Sequence, residues 1–303
     1  MSKNNLFPVV QLTLFFRDEN LQRHCKTQAR CIKVKAYSEI AGCNVTQLGK
    51  LSRSVKGRVA IITGAGSGMG RATARVFADA GVRLALFELN QGTLDSVIKE
   101  LKEAGVEVRG WVLDVSDAES IKSAVSEVQS QFGAIDILVN NAGISIPVKI
   151  DDEDYEATWE RSMSVLLNAQ HRLIRAALPA LRKSDCPRIV NIASTEGLGA
   201  TRFASPYTAA KHAVIGLTRS LAVELGAEGI TVNCVCPGPI NTAMTEEIPD
   251  EQKQIFARRR VALRRYADPE EVAHATLSFV LPAASFITGT ALPIDGGLTI
   301  RNA

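Results

Sequence analysis

The chain of 303 residues is 46% hydrophobic and 22% charged, and its formal net charge is +3 at pH 7. This length suffices for one α/β domain with a full core and a tail. The segment 1–56 carries ten Lys or Arg and three Asp or Glu, whereas the rest carries 25 basic and 29 acidic residues. The negative net charge of the rest of the chain argues against nucleic-acid binding by that part. No apolar run approaches the roughly 18 residues that span a bilayer, so we expect a soluble protein with no membrane partner.

The first 55 residues form a separate region of the predicted organisation. A short apolar run at 6–16 lacks the basic start and the small-residue cleavage site of a secretory signal, and Asp18 and Glu19 are unusual in an organellar transit peptide. Three interpretations stay open: a disordered or wrongly assigned upstream extension, a targeting segment, or an arm that packs on an oligomer. We predict an N-terminal extension at 1–55, a domain at 56–303 and a cytoplasmic protein, with organellar targeting as the weaker alternative.

Runs of apolar residues with the length and β-branched content of buried strands recur along the domain. They lie at 59–63, 83–87, 106–112, 135–139, 188–192, 230–235 and 291–294. Helical segments separate them, which is typical of a parallel sheet covered by helices on both faces. The sequence therefore predicts an α/β fold with a doubly wound, mostly parallel, seven-stranded sheet of Rossmann type.

A glycine-rich loop lies between the first predicted strand and the helical stretch 71–80. It reads Thr63-Gly-Ala-Gly-Ser-Gly-Met-Gly70. Such glycines allow a tight turn and a close approach of the backbone to a pyrophosphate, which then rests on the amide groups and the positive dipole end of the helix. The spacing differs from the G-x-G-x-x-G of the commoner dinucleotide-binding fold. The order of strand, glycine loop and helix nevertheless predicts a dinucleotide site.

The acidic residue after the second predicted strand bears on the choice of cofactor. Glu88 follows the strand 83–87, where a carboxylate accepts hydrogen bonds from a free ribose 2′-hydroxyl and repels a 2′-phosphate. Ser67 in the glycine loop is neutral, and Arg71 at the start of the helix is the feature that favours a phosphate. We predict NAD as the cofactor, with NADP as the less favoured choice.

Three polar residues in the second half of the chain predict a device for proton transfer. Tyr207 and Lys211 are four positions apart in the predicted helix 206–225, so their side chains share one face. A neighbouring ammonium favours the phenolate and lowers the phenol pKa from its usual value of about 10. Ser194 follows the strand 188–192, which predicts its hydroxyl at the carboxyl end of a strand, where ligands bind in open α/β sheets.

From Lys56 to the C-terminus the chain resembles the single-domain short-chain dehydrogenases/reductases, of the 3-oxoacyl reductase-like type. The motifs that carry the resemblance stand in the family's order: the glycine loop at 63–70, Asp114-Val115, Asn140-Asn-Ala-Gly143, Ser194, Tyr207 with Lys211, Pro237-Gly238 with Thr242, and Asp295-Gly-Gly297. The resemblance implies an oxidoreductase that transfers a hydride between a nicotinamide cofactor and a secondary alcohol or ketone. It also implies a homotetramer or homodimer, built through the helices that carry Leu166 and Tyr207.

The resemblance further assigns roles to single residues. It implies that Tyr207 is the general acid/base, that Ser194 holds and polarises the substrate oxygen, and that Lys211 lowers the tyrosine pKa and binds the nicotinamide ribose. Asp114 is implied to meet the adenine ring, and Asn140 to hold the fourth strand against the cofactor. The implied cofactor-binding set is Gly64, Gly66, Ser67, Gly68, Met69, Gly70, Glu88, Asp114, Val115, Asn141, Ala142, Gly143, Tyr207, Lys211, Pro237, Gly238, Ile240 and Thr242.

One position departs from the family pattern. Many relatives place an asparagine in the middle of the helix after the fourth strand, where it anchors a water in a proton path from the lysine to solvent, and here that place holds Leu166. Asn168 lies about 200° further round a regular helix, so we do not expect it to substitute. Two interpretations stay open: an enzyme with a rerouted proton relay, or a nucleotide-binding sensor or partner subunit with weak turnover.

The cysteines and histidines indicate no metal site. The six cysteines lack the spacing of metal ligands, and Cys234 and Cys236 are interpreted as small buried hydrophobes in a reducing compartment. None of the four histidines has a second ligand close to it in sequence.

A long segment at 239–266 is predicted to be a lid over the nicotinamide. We interpret the arginines at the end of its helix as residues that compensate the helix dipole. In the alternative interpretation, they bind an anionic substrate. The expected pocket residues are Ile144, Ile146, Leu198 and Met244. Because these side chains are apolar, a cyclic or acyl secondary alcohol is favoured over a sugar.

Overall fold

The computed structural model describes residues 49–302, and at its centre lies a sheet of seven strands. The strands are β1 (Val59–Thr63), β2 (Arg83–Glu88), β3 (Val108–Val112), β4 (Ile137–Asn140), β5 (Arg188–Ile192), β6 (Thr231–Pro237) and β7 (Ala291–Ile294). Their order across the sheet is β3-β2-β1-β4-β5-β6-β7. Every pairing is parallel, so the predicted doubly wound α/β fold is confirmed.

Helices alternate with the strands. They are α1 (Gly68–Asp79), α2 (Gln91–Glu103), α3 (Ala118–Phe132), α4 (Tyr155–Met163), α5 (Ala169–Leu181), α6 (Ser205–Leu225), α7 (Asp250–Arg260) and α8 (Pro269–Val280). A π-helical turn at Ser164–Asn168 joins α4 to α5, and short 3-10 turns lie at Thr195–Gly197 and Ala243–Thr245. Within residues 49–302, no helix has both the length and the apolar character that crossing a membrane requires.

Both faces of the sheet are covered, which explains why its strands are continuous apolar runs. Successive side chains of a strand point to opposite faces. Ile61 of β1 belongs to the core cluster that includes Val128 of α3 and Leu173 of α5. Its neighbour Ile62 belongs to the cluster on the other face, which contains Phe77 of α1 and residues of α2 and α8. The alternation along one strand therefore holds two helical layers against the sheet.

The order of the strands reverses between β1 and β4. From β1 the chain passes outward through β2 to β3, and from β4 it continues in the opposite direction to β7. Such a reversal leaves a crevice outside the carboxyl ends of the strands, and ligands bind in it. The loops after β1 and β4 meet at this point, because Asn141 Nδ2 donates a 2.9 Å hydrogen bond to Thr63 O.

The predictions for residues 1–48 lie outside the described residues. Where the described chain begins, Val55 is buried, and Ser52 O accepts a 2.8 Å hydrogen bond from Ala283 N. The domain boundary between residues 55 and 56 stays a prediction.

Candidate active site

One cleft at the carboxyl ends of the strands contains most of the residues singled out in the sequence. The predicted site residues that line it are Gly64, Ser67, Gly68, Met69, Glu88, Asp114, Val115, Asn141, Ala142, Gly143, Ser194, Tyr207, Lys211, Pro237, Gly238, Ile240 and Thr242. Gly66 and Gly70 do not line the cleft, and their part is in the shape of the loop. The structure thus brings the glycine loop and the Ser-Tyr-Lys set together in one site.

The glycine loop is shaped by close backbone contacts. Gly64 has φ +61°, a conformation that other residues rarely adopt. A Cβ on Gly70 would lie 2.0 Å from Gly64 O and 2.6 Å from Asn141 Nδ2, so no larger residue fits there. The loop leads directly into the N-terminus of α1, whose free amide groups suit a pyrophosphate. This backbone cradle therefore fits the dinucleotide that the sequence predicts.

Glu88 is fixed at the end of β2 by backbone amides. Its Oε2 accepts a 2.8 Å hydrogen bond from Gly66 N, and its Oε1 accepts bonds of 2.9 and 3.2 Å from Leu89 N and Asn90 N. The carboxylate therefore supports the glycine loop as well as lining the cleft. Because three amides hold it, its negative charge has a fixed position at this end of the site.

The basic residues at the start of α1 are turned toward α2. Arg71 donates to Glu100 Oε2 through Nη2 at 2.5 Å and Nε at 3.2 Å, and Arg75 Nε bonds the other carboxylate oxygen at 2.5 Å. The hydrogen bond from Arg75, assisted by Arg71, lowers the pKa of Glu100 to about 2. Arg71, the residue whose charge would favour a phosphate, is thus already paired with Glu100.

Asp114 forms a polar cluster with a residue that the sequence did not reveal. Its Oδ1 accepts bonds from Ser116 N and Ser116 Oγ at 2.8 and 2.7 Å, and Arg161 of α4 approaches Oδ2 at 3.2 Å. Burial opposes ionisation, but the bonds from Ser116 and the charge of Arg161 keep the pKa of Asp114 below its usual value. Arg161 also lines the cleft. No sequence pattern connects two residues 47 positions apart, so only the fold could find this pair.

Asn140 lies in a buried polar chain beneath the cleft. Its Nδ2 donates to Asn191 Oδ1 at 2.8 Å, and Asn191 Nδ2 donates to Thr218 Oγ1 at 3.0 Å. This chain connects β4, β5 and α6. The contact with the glycine loop is made instead by the next residue, Asn141. The role implied for Asn140, to hold β4 against the cofactor, stays a prediction.

Ser194 and Tyr207 meet at the inner part of the cleft. Ser194 follows β5 and lines the cleft together with Tyr207, and its hydroxyl accepts a 3.1 Å bond from Glu196 N. Pro206 lies in the first turn of α6, where its fixed φ and missing N–H are compatible with a helix start. The helix therefore begins just before Tyr207, and the tyrosine lines the same cleft as Ser194.

Lys211 lies one turn further along α6 and is almost completely buried, with 3% exposure. Its Nζ is 5.4 Å from the centroid of the Tyr207 ring and donates a 2.8 Å hydrogen bond to Ile192 O. Burial lowers the pKa of Lys211 to about 8, against the opposing influence of Cys236 and Cys234. The shared helix face predicted for Tyr207 and Lys211 is therefore present.

The pKa of Tyr207 is shifted in the direction opposite to the prediction. Burial raises it, the hydrogen bond with Ser194 opposes the rise, and the negative charge of Glu196 adds to it. The sequence argument considered the ammonium of Lys211 but had no means of seeing the burial of the phenol. In the protein alone, the neutral phenol is therefore the favoured form.

The helix around Leu166 is not regular, which corrects the geometry assumed for it. Residues Ser164–Asn168 form a π-helical turn, a local widening that is rare and occurs often at functional sites. The angle of about 200° assumed for Asn168 on a regular helix does not apply across a π-turn. Leu166 is fully buried, and its Cδ2 would lie 3.4 Å from a Cβ on Gly143. Asn168 borders a different surface depression, together with Trp159, so it does not replace the missing asparagine.

The segment 239–266 follows β6 and contributes to one wall of the cleft. Of the residues expected to make an apolar pocket, Ile144 and Met244 line the cleft, whereas Ile146 and Leu198 lie outside its lining and are exposed. The arginines of this segment are Arg258, Arg259, Arg260, Arg264 and Arg265, and none of them lines the cleft. Arg265 bonds Glu271 at 2.7 Å. Their arrangement agrees with a dipole role at the end of α7.

The cysteines within the described residues are buried and unpaired. Cys234 and Cys236 of β6 pack with Val214 and Ile215 of α6, which agrees with their interpretation as small hydrophobes. Among residues 49–302, no group of three or more His, Cys, Asp or Glu side chains could hold a metal ion.

A glycine cradle at one end of a cleft and a serine, a tyrosine and a lysine at the other belong to oxidoreductases that bind a nicotinamide dinucleotide on a Rossmann-type sheet. Comparison with known proteins agrees. A family model described as Enoyl-(Acyl carrier protein) reductase matches residues 64–299. The chain is 37% identical over 249 residues to 3-oxoacyl-(acyl-carrier-protein) reductase FabG of Thermotoga maritima, covering 81% of this chain and 99% of that protein.

Two further relatives differ in what their names say they act on. Meso-2,3-butanediol dehydrogenase of Serratia marcescens is 38% identical over 243 residues, covering 80% of this chain and 94% of that protein. The solved structure of L-sorbose reductase from Gluconobacter frateurii, complexed with NADPH and L-sorbose, matches with a TM-score of 0.78 at 30% identity, covering 83% of this chain and 100% of that chain.

The chain belongs to the short-chain dehydrogenase/reductase family, which confirms the resemblance that its motifs indicate. It is an oxidoreductase that acts on hydroxyl or keto groups with a nicotinamide cofactor.

Proposed function

We propose that this chain is an NAD(H)-dependent enzyme that interconverts a secondary alcohol and a ketone, with Tyr207 as its general acid/base. The observation that carries the proposal is the convergence of Ser194, Tyr207 and Lys211 on the cleft that also contains the glycine loop. A proton donor and a dinucleotide cradle in one cleft are what hydride transfer to or from a carbonyl carbon requires.

The proposed roles follow from the contacts of the side chains. The bound nicotinamide supplies or accepts the hydride at the substrate carbon. In ketone reduction, Tyr207 donates its phenolic proton to the carbonyl oxygen, and in alcohol oxidation the phenolate takes that proton back. Ser194, which lines the same cleft as the phenol, orients the substrate oxygen toward it. Lys211 contributes a positive charge on the same helix face, 5.4 Å from the phenol ring.

The preference for NAD over NADP rests on Glu88. Its carboxylate lines the cleft and is held by the amides of Gly66, Leu89 and Asn90, so a 2′-phosphate would meet a fixed negative charge. Arg71 is paired with Glu100 and would have to leave it to bind a phosphate. The NADPH of the solved relative belongs to that protein, and the charge at Glu88 supports the opposite choice here.

For the substrate, we propose a cyclic or acyl secondary alcohol or its ketone. Ile144 and Met244 line the cleft and would offer apolar contact to the carbon skeleton. A homotetramer or homodimer built through the helices that carry Leu166 and Tyr207 and a cytoplasmic location complete the proposal. A single-chain mass by light scattering would contradict the oligomer.

The second candidate is a nucleotide-binding sensor or partner subunit with weak turnover. The observation that favours it is Leu166, a fully buried apolar side chain at the place of the family's asparagine. The polar set of Ser194, Tyr207 and Lys211 favours the enzyme, because a sensor does not require a proton donor in its cleft.

A turnover assay separates the two candidates. The absorbance of reduced nicotinamide is followed with NAD and NADP in parallel over cyclic, steroidal and 3-hydroxyacyl alcohols, while binding of both cofactors is measured by fluorescence. The enzyme proposal expects turnover with NAD for at least one class. Tight NAD binding without turnover over the whole panel, together with turnover gained in Leu166→Asn, would favour the sensor.

A further inference from the structure

Glu196 lies on the 3-10 turn that follows β5, outside the lining of the cleft. Both of its carboxylate oxygens are engaged, each with a different partner. Oε1 accepts a 2.6 Å hydrogen bond from Thr201 Oγ1, and Oε2 accepts a 2.9 Å bond from Thr208 Oγ1. A half-buried carboxylate that bridges two separate hydroxyls fixes both of them, because bonds to a charged acceptor are the stronger kind.

The partners of Glu196 connect three parts of the active site. Thr201 belongs to the segment 198–204, which leads from the serine turn to α6. Thr208 follows Tyr207 directly in the first turns of α6. The backbone of Glu196 itself donates to Ser194 Oγ at 3.1 Å. One residue therefore contacts the serine, the segment and the helix turn that carries the tyrosine.

The segment that Glu196 holds contains a strained residue. Phe203 has φ +67°, an outlier for a bulky side chain that costs free energy and persists only where the surroundings enforce it. Its O accepts a 2.9 Å bond from Val148 N, and the guanidinium of Arg202 stacks over its ring at 4.3 Å. Glu196, through Thr201, is a third restraint on this short segment between Ser194 and Tyr207.

We propose that Glu196 is a positioning residue of this active site, which ties the segment 198–204 to α6 and presents its negative charge to the Tyr207 phenol. The inference rests on the proposed function of Tyr207 as the acid/base. In this proposal, the 3-10 turn Thr195–Gly197 keeps Tyr207 protonated and holds it in position.

The groups around the phenol explain why Glu196 raises the pKa of Tyr207. Lys211 comes from α6 itself, with its Nζ 5.4 Å from the centroid of the phenol ring, and Ser194 and Glu196 come from the turn after β5. Burial is the larger cause of the raised Tyr207 pKa, and the charge of Glu196 raises it further. A protonated tyrosine can donate to a ketone, and the charge of Glu196 extends toward alkaline pH the range over which the phenol keeps its proton.

The test separates the charge of Glu196 from its hydrogen bonds. Glu196→Gln removes the charge but keeps an acceptor oxygen, and Glu196→Ser is a second variant without the charge. Thr208→Val keeps the charge and the shape but removes one bond. Glu224→Gln is the matched control, because it is an exposed glutamate 17 residues beyond Tyr207 on the same helix, or about 25 Å away.

The readout does not depend on turnover. The protein has four tyrosines, and in 3-fluorotyrosine-labelled protein the Tyr207 signal is the ¹⁹F resonance that Tyr207→Phe removes. Fluorine makes the phenol more acidic, which brings its titration closer to neutral pH. Each variant is titrated by ¹⁹F NMR, and its kcat and KM are measured beside the titration.

We expect the Tyr207 signal of Glu196→Gln and Glu196→Ser to titrate at lower pH than in the wild type, while Glu224→Gln and Thr208→Val titrate as the wild type does. Thr208→Val removes one of the two bonds to the carboxylate and should raise KM by loosening the segment 198–204. An unchanged titration in both charge-removing variants, with folded protein, overturns the proposal even if the enzyme turns over. A shifted titration in a protein that turns over no substrate supports Glu196 and contradicts the proposed function.

Discussion

Lys211 Nζ donates a 2.8 Å hydrogen bond to Ile192 O, so that a lysine of α6 is bound to the end of β5. The protein buries this ammonium almost completely, and burial lowers its pKa from 10.5 to about 8. Burying a charge costs free energy. A folded-state pKa below the unfolded value means that the unfolded state binds more protons between these two pH values, so stability rises with pH there. The lysine is thus retained at the expense of stability.

Replacing this lysine should stabilise the protein and inactivate it. At pH 7, Lys211→Met should raise the free energy of unfolding by about 2 kcal/mol, because the gain from removing a desolvated ammonium exceeds the cost of losing one hydrogen bond. The gain in unfolding free energy should shrink between pH 8 and pH 10.5 as the wild-type lysine deprotonates.

The Lys211→Met variant should also lose about 10²-fold or more in kcat. Urea unfolding at pH 7 and pH 10 measures the first effect. The exposed Lys183→Met is the control, and an equal gain in both variants would contradict the burial argument.

The charge of Glu88 should decide the choice of cofactor. Glu88→Gln removes the repulsion of a 2′-phosphate and keeps one acceptor oxygen, enough for the amides of Leu89 and Asn90 but not for that of Gly66 as well. We expect the ratio of kcat/KM with NADP to that with NAD to rise at least about tenfold, or about 1.4 kcal/mol in relative binding. Glu103→Gln, at the exposed end of α2, should leave the ratio unchanged. A wild type that already prefers NADP would overturn this part of the account.

Gly70 should be irreplaceable, in contrast to a glycine elsewhere. Gly70→Ala brings a methyl group to within 2.0 Å of Gly64 O, so the loop must move and the dissociation constant for NAD should rise more than about tenfold. Gly216→Ala, on the exposed face of α6, meets nothing within 4 Å. It should stabilise the helix by about 0.5–1 kcal/mol and leave binding intact. Fluorescence titration and thermal unfolding check both, and unchanged NAD binding in Gly70→Ala would refute the cradle.

Leu166 should be needed for stability and dispensable for proton transfer. Leu166→Asn puts an amide in a fully buried position, and we expect a loss of about 3 kcal/mol in unfolding free energy. The proposed enzyme expects kcat to change less than about threefold, far below the 10²- to 10⁴-fold of a proton-transfer group. Leu173→Asn, buried on α5, controls for the loss of stability. A large rise in kcat for Leu166→Asn alone would show that the missing asparagine limits the natural chain.

What the sequence could predict was encoded in short stretches of chain. The glycine loop and the helix start at Pro206 depend on neighbouring residues, and the apolar runs of the strands follow from burial on both faces of the sheet. The π-turn at Ser164–Asn168 and the pairing of Asp114 with Arg161 depend on packing between distant elements. The pKa of Tyr207 was predicted with the wrong sign, since burial and Glu196 act on it only in the folded chain.

The central claim is that Tyr207 exchanges the proton during hydride transfer, and a matched pair of variants tests it most directly. The rate of ketone reduction is measured by the loss of NADH absorbance in Tyr207→Phe and in Tyr266→Phe, a half-buried tyrosine that does not line the cleft. NADH binding is confirmed in both. The account predicts that Tyr207→Phe binds NADH normally and loses about 10²- to 10⁴-fold in kcat, whereas Tyr266→Phe retains its rate. A Tyr207→Phe variant that reduces the ketone as fast as the wild type would contradict it.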